Sequence, residues 1–243
     1  MALELTNKNE GLAVTAYAGD GSVLLAFDVD EDKTKNLAGF AVETVTPDKG
    51  PYPSNKYWLK NRISFKGGLS KDIAFTPDKQ VDSNQAPFQT FHWVHFPGAG
   101  PGKYVYTVYA CYFKGEESVD LGPSVQVEAD LSYRALFNLE LGFTRGYISS
   151  QAYVDRFKNA DIRPKVKSID FDTAPYEAQY EWLGAHARKI IFDFLEECSK
   201  DASISVDVFS YDFDEPDIIR KLAVMGPRVR VFQDNSTLHT KRT

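Results

Sequence analysis

The chain has 243 residues, 43% of them hydrophobic and 26% charged, and a formal charge of −6. This composition suits one large or two ordinary globular domains and excludes disorder across the bulk of the chain. The acidic balance argues against broad nonspecific affinity for nucleic acid, which needs a concentrated basic surface. No apolar run approaches the roughly 20 residues that cross a bilayer. Met1 to Glu10 is polar and lacks the apolar region of a signal peptide. The two cysteines, Cys111 and Cys198, are expected as buried free thiols, which fits a soluble cytoplasmic protein.

Residues 11 to 131 read as short strands separated by turns. Leu12 to Tyr17 alternates, Gly19-Asp20-Gly21 turns the chain, and Val23 to Val29 pairs back as a hairpin. Leu37 to Val45 and Tyr57 to Phe65 are further strand candidates, and Gly67 to Ala86 is a long polar excursion between strands. Phe88 to Phe96 and Tyr104 to Phe113 are aromatic-rich strands around the turn Pro97-Gly98-Ala99-Gly100-Pro101-Gly102, which reads as a hairpin turn. Val125 to Ala129 closes the set. The expectation is an antiparallel β-sandwich over 1–131.

Residues 132 to 172 form an irregular connector, partly extended where Phe137, Leu139, Leu141 and Phe143 alternate. Tyr180, Leu183, Ala187, Ile190, Ile191, Phe194, Leu195 and Cys198 then recur at helical spacing over about five turns. Asp172 or Thr173 is placed to cap this helix, with Pro175 in its first turn. A strand-helix-strand unit follows: Val206 to Phe213, a helix opened by Asp214 as cap and Pro216, and Arg228 to Asp234. Gly226-Pro227 ends the helix, and a right-handed crossover should join two parallel strands.

Several patterns fail on inspection. Asp28, Asp30 and Asp32 imitate an EF-hand start, but Lys33 and Gly39 stand where the loop needs Gly and Glu. Gly98 to Lys103 looks like a phosphate loop, but Pro97 and Tyr104 replace its first Gly and closing Ser or Thr. His92 and His95, three apart in a strand, face opposite sides and cannot share a metal. With four His and two Cys scattered along the chain, neither a metal site nor a cofactor is expected. His186 is expected at a surface or interface.

Gly102-Lys103-Tyr104-Val105-Tyr106-Thr107-Val108-Tyr109-Ala110 resembles strand F of a fibronectin type III or immunoglobulin-like domain. The resemblance implies a tyrosine corner filled by Tyr104 or Tyr106. Val206-Asp207-Val208-Phe209-Ser210-Tyr211-Asp212-Phe213-Asp214-Glu215-Pro216, within the stretch Tyr176 to Asn235, resembles the opening of a phospholipase D superfamily domain. That family has an α-β-α sandwich of two halves, each with a His-x-Lys-x4-Asp motif. It cleaves or transfers phosphodiesters of lipids or nucleic acids through a phosphohistidine, mostly without metal. The same pattern also suits an α/β domain of Rossmann-like or receiver-like strand order.

The expected fold is therefore α+β with two domains. A β-sandwich over 1–131 and a connector over 132–172 precede an incomplete phospholipase D-like segment over 173–243. His239 and Lys241 have His-x-Lys spacing, but no Asp follows at the required distance, so neither is carried over as catalytic. Asp212, Asp214 and Asp234 lie at strand ends, where open α/β sheets form sites, and are candidate rim residues. The chain alone is expected to lack phosphodiesterase activity. Its open sheet edge calls for the rest of the domain, a second chain or a second copy. The alternative is a non-catalytic binding or scaffold protein, or a subunit of a larger assembly.

Overall fold

The structure, a computed structural model, describes residues 4–47, 54–63, 80–114, 118–136, 138–145, 148, 150–165 and 168–235. The chain is α+β and divides into two compact units, Met1–Arg134 and Ala135–Thr243.

The first unit is built on strands β1 (Glu4–Asn9), β2 (Leu12–Ala18), β3 (Val23–Val29), β4 (Leu37–Val45), β5 (Lys56–Trp58), β6 (Lys60–Asn61), β7 (Val81–Asp82), β8 (His92–His95), β9 (Lys103–Lys114) and β10 (Ser118–Asp130). Among the described residues they form two four-stranded sheets, ordered β1-β2-β3-β8 and β10-β9-β4-β5, and a small pair, β6-β7. Among the described residues the strand pairings in this unit are antiparallel. Alternation decides which face is buried. In β3, Val23, Leu25, Phe27 and Val29 are buried between more exposed neighbours. In β9, Tyr104, Tyr106, Val108 and Ala110 take the same role. These residues, with Leu12 and Val14 of β2, Phe40 and Val42 of β4 and Val125 and Val127 of β10, make one core drawn from both sheets. The β2–β3 hairpin forms as its alternation predicts, with Leu12 opposite Val29 and the Gly19 N–H donating to the Ser22 carbonyl at 2.8 Å.

Three sequence expectations differ from the structure. Phe88 to Phe96 is not one strand. Phe88 bridges Phe40 of β4, whereas His92–His95 pairs with β3, so the segment changes sheets within a few residues. Gly39 (φ +133°) permits this: a Cβ there would lie 2.2 Å from the Phe88 carbonyl oxygen. The 97–102 turn is accordingly no hairpin, because it carries the chain from β8 in one sheet to β9 in the other. The predicted strand Tyr57–Phe65 is interrupted into β5 and β6; Ser64 and Phe65, and most of the polar excursion, fall outside the described residues. Strand β1 is not evident in the sequence. Its residues are all exposed, and it is held by backbone pairing with β2, by the Thr6 and Thr15 hydroxyls 2.8 Å apart, and by the Asn7 and Asn9 amides, bonded to the Gln126 and Ser124 carbonyls of β10 at 2.6 and 3.1 Å.

The second unit holds β11 (Arg134–Leu136), which begins at the border, β12 (Leu139–Leu141), α1 (Gln151–Phe157), α2 (Glu177–Lys200), β13 (Val206–Ser210), α3 (Pro216–Met225) and β14 (Val229–Gln233). The stretch read as an irregular connector thus contains a strand pair and a helix. Ser150 caps α1 by accepting from the Tyr153 N–H at 3.1 Å, and buried Tyr153 packs on Phe157 and Trp182. Strands β13 and β14 are parallel, with Val206 opposite Val229 and Ser210 opposite Gln233. Leu195, Cys198, Val206, Leu222 and Met225 form the buried cluster beneath them. The long helix is less buried than its periodicity predicts: Ile191 and Phe194 are exposed. It is also bent, because Ala185 adopts φ 44°, ψ −135° within it.

Candidate functional site

Two buried side chains of the first unit, His95 and Cys111, carry chemistry that the core neutralises. His95 is buried while His92 is exposed, as their spacing requires. The His95 Nδ1 lies 3.0 Å from the Tyr106 hydroxyl, and burial lowers the imidazole pKa to about 3. Cys111 is a free thiol whose pKa burial pushes up to about 12, so it is no nucleophile at neutral pH. Cys198 is likewise free and buried.

In the second unit, Asp212 and Asp234 follow the C-terminal ends of the parallel strands. Both are exposed, and the Asp234 N–H donates to the Ser210 carbonyl at 3.1 Å, which fixes the two strand ends side by side. Asp214 is withdrawn from them, its carboxylate 3.7 Å from Arg163. Nor does Asp214 cap α3. With Pro216 at the first helical position the cap falls on Glu215, which accepts from the Ile218 N–H at 2.6 Å. His239 and Lys241 lie outside the described residues.

A cleft of about 240 Å³ lies elsewhere in this unit, lined by Asp172, Thr173, Glu177, Tyr180, Arg188, Asp217 and Arg220 among others. Asp217 is its node. It stands in the first turn of α3, where the helix dipole favours a carboxylate. It receives the Thr173 hydroxyl at 2.9 Å, Arg188 Nη2 at 3.4 Å and Arg220 Nη1 at 2.8 Å. Arg188 also reaches Glu215 at 3.1 Å and lies 4.1 Å above the Phe192 ring and 5.4 Å above Tyr180. Arg220 extends further to Asp170 at 3.1 Å and to the Phe171 carbonyl. Burial, then the neighbouring Glu215, raises the Tyr180 pKa and keeps its phenol protonated.

Thr173 therefore serves Asp217 rather than capping the long helix, and Asp172 accepts the Ala174 N–H at 3.1 Å ahead of a 3-10 turn, Ala174–Tyr176. Both guanidinium groups are engaged by carboxylates, which leaves the cleft acidic and unsuited to a phosphate. Among its lining residues there is no His, Cys or Lys to act as nucleophile. Sequence periodicity could not show this network, because its members come from three separate segments, 170–173, α2 and the start of α3.

His186, expected at a surface or interface, is not at the surface. It is buried, and its Nε2 lies 3.3 Å from Glu140 Oε1 on β12. The bend at Ala185 interrupts the helical phase, so a helix wheel drawn from the N-terminal half misplaces the residues beyond it. Among the described residues no group of three or more His, Cys, Asp or Glu is arranged to hold a metal ion. No helix among them is long and apolar enough to cross a membrane. Comparisons with protein-family models, with curated proteins and with solved structures give no match.

Proposed function

We propose that this chain belongs to a phospholipase D-like phosphodiesterase, with a fibronectin type III-like β-sandwich ahead of the opening segment of the catalytic domain. The observation that carries the reading is the parallel β13-α3-β14 unit, with Asp212 and Asp234 following adjacent strand ends. Open parallel sheets place ligands at that end of their strands. The sheet orders β1-β2-β3-β8 and β10-β9-β4-β5 support the sandwich assignment. So does Tyr104, whose hydroxyl donates to the Gly100 carbonyl just upstream, as in a tyrosine corner.

In this reading the 243 residues contribute scaffold and site rim, not the reacting groups. None of the four histidines stands in a His-x-Lys-x4-Asp motif. The substrate class is a phosphodiester of a lipid or a nucleic acid. The test is turnover of bis-p-nitrophenyl phosphate by this chain and by the protein extended with the coding sequence beyond Thr243. Turnover by the extended protein alone is expected. Turnover by the 243 residues, abolished by His239→Ala, would make His239 a reacting group and overturn the assignment of roles. An immediate stop codon after Thr243 would favour the second reading, a non-catalytic binding or scaffold protein. That reading is supported by the exposed faces of Phe209 and Phe232, stacked at 4.7 Å on the parallel pair.

A further inference from the structure

The bend in α2 combines a strained residue with a foreign hydrogen bond. Ala185, at φ 44° and ψ −135°, lies in a region that side-chain-bearing residues rarely adopt. No proline interrupts Glu177–Lys200, but Gly184, a weak helix former, stands immediately before the bend. In a continuous helix the Leu183 carbonyl accepts from the Ala187 N–H. Here it accepts from the Arg145 N–H at 2.7 Å. The segment after β12 is pressed so closely onto the bend that a Cβ on Gly142 would lie 2.7 Å from the Ala187 nitrogen and 2.8 Å from the Ile190 side chain. Two further contacts hold the segment there: Glu140 with buried His186 at 3.3 Å, and the Arg145 guanidinium 4.9 Å above the Trp182 ring.

We infer that the bend at Ala185 is a two-state device, a helix that is bent while the 140–145 segment is docked and straight when it is not. Both states satisfy the Leu183 carbonyl, once by Arg145 and once by Ala187, so the device is bistable rather than frayed. Straightening relieves Ala185 and restores helical geometry; docking offsets the strain with the two contacts above. The lining of the acidic cleft also spans the bend. Glu177 and Tyr180 precede it and Arg188 follows it, so straightening separates the Tyr180 ring from the Arg188 guanidinium. The device thereby couples occupancy of the 140–145 segment to the shape of the cleft.

Amide-resolved hydrogen exchange by NMR tests this in two variants. Ala185→Gly removes the strain of the bent form and weakens the straight one. Protection of the Arg145 amide should rise about tenfold. Gly142→Val drives the segment off. The Arg145 amide should lose protection about tenfold, the Ala187 amide should gain it, and Arg188 side-chain resonances should move. Trp182 provides an optical check in a Trp58→Phe/Trp93→Phe background, since its emission should change as Arg145 leaves the ring. Joint loss of protection at Arg145 and Ala187 in Gly142→Val would mean simple fraying and would overturn the two-state assignment. So would an unchanged or lower Arg145 protection in Ala185→Gly. Stationary Arg188 resonances would sever the link to the cleft.

Discussion

The Tyr104 hydroxyl donates to the Gly100 carbonyl at 2.5 Å, tying the first residues of β9 to the turn that brings the chain over from β8. The ring is fully buried and lies parallel to that of Tyr106, so the bond adds to packing that is already fixed. Tyr104→Phe keeps the ring and removes only the donor. It should cost about 1 kcal/mol of unfolding free energy, read as a lower urea midpoint with an unchanged m-value.

His95 makes stability fall in acid. Its folded pKa is depressed to about 3 by burial, whereas in the unfolded chain it titrates near 6.5. Below pH 6.5 the unfolded state therefore binds a proton that the folded state refuses. The contribution is fully present above pH 6.5 and is lost as pH falls towards 3, at up to about 1.4 kcal/mol per pH unit. His95→Gln can still hydrogen-bond Tyr106 but does not titrate. Urea midpoints at pH 7.5 and pH 5 should fall further for the parent chain than for this variant.

Arg228 closes the C-terminal end of α2. Its Nη1 reaches the carbonyls of Cys198, Asp201 and Ile204 at 2.9, 2.8 and 2.8 Å, and Nη2 that of Ser199 at 3.4 Å. Cys198 and Ser199 belong to the last turn of α2, whose carbonyls lack intrahelical partners, and Asp201 and Ile204 lie just beyond it. Arg228→Ala should cost about 2 kcal/mol by thermal or urea unfolding. Arg228→Lys should recover less than half of that, because an ammonium lacks the planar fork.

Gly39 admits no side chain without movement of the backbone that crosses between sheets. Gly39→Ala should cost roughly 3 kcal/mol or more, combining the positive φ with a direct overlap on the Phe88 carbonyl. A substitution at Gly21 makes the control. Its φ is also positive, but a Cβ there meets nothing within 4 Å, so only the conformational cost, about 1 kcal/mol, should appear.

The elements legible in the sequence are those whose burial alternates or repeats locally. β2, β3 and the buried face of β9 follow directly from their period-2 patterns. β1 leaves no such trace, because none of its side chains is buried and its pairing is carried by the backbone. The bend in α2 has only Gly184 as a local trace: the apolar period runs on through Ala185, and the Arg145 N–H that bonds the Leu183 carbonyl arrives from far upstream. Of the candidate rim, Asp212 and Asp234 each follow a strand end, while Asp214 is diverted to Arg163 and its capping role passes to Glu215. Here the proline position moved the cap by one residue. The ion network around Asp217 depends on tertiary neighbours that no spacing rule links.

The amides of Asn7 and Asn9 bond carbonyls of β10, the last strand of its sheet. An outermost strand is a ready template for a foreign strand, and two side chains here already occupy its acceptors. The polar N-terminal strand thus acts as a guard against edge-to-edge aggregation. Its loss would show first in the colloidal behaviour of the protein, through slow oligomer growth on storage, before any change in the folded core.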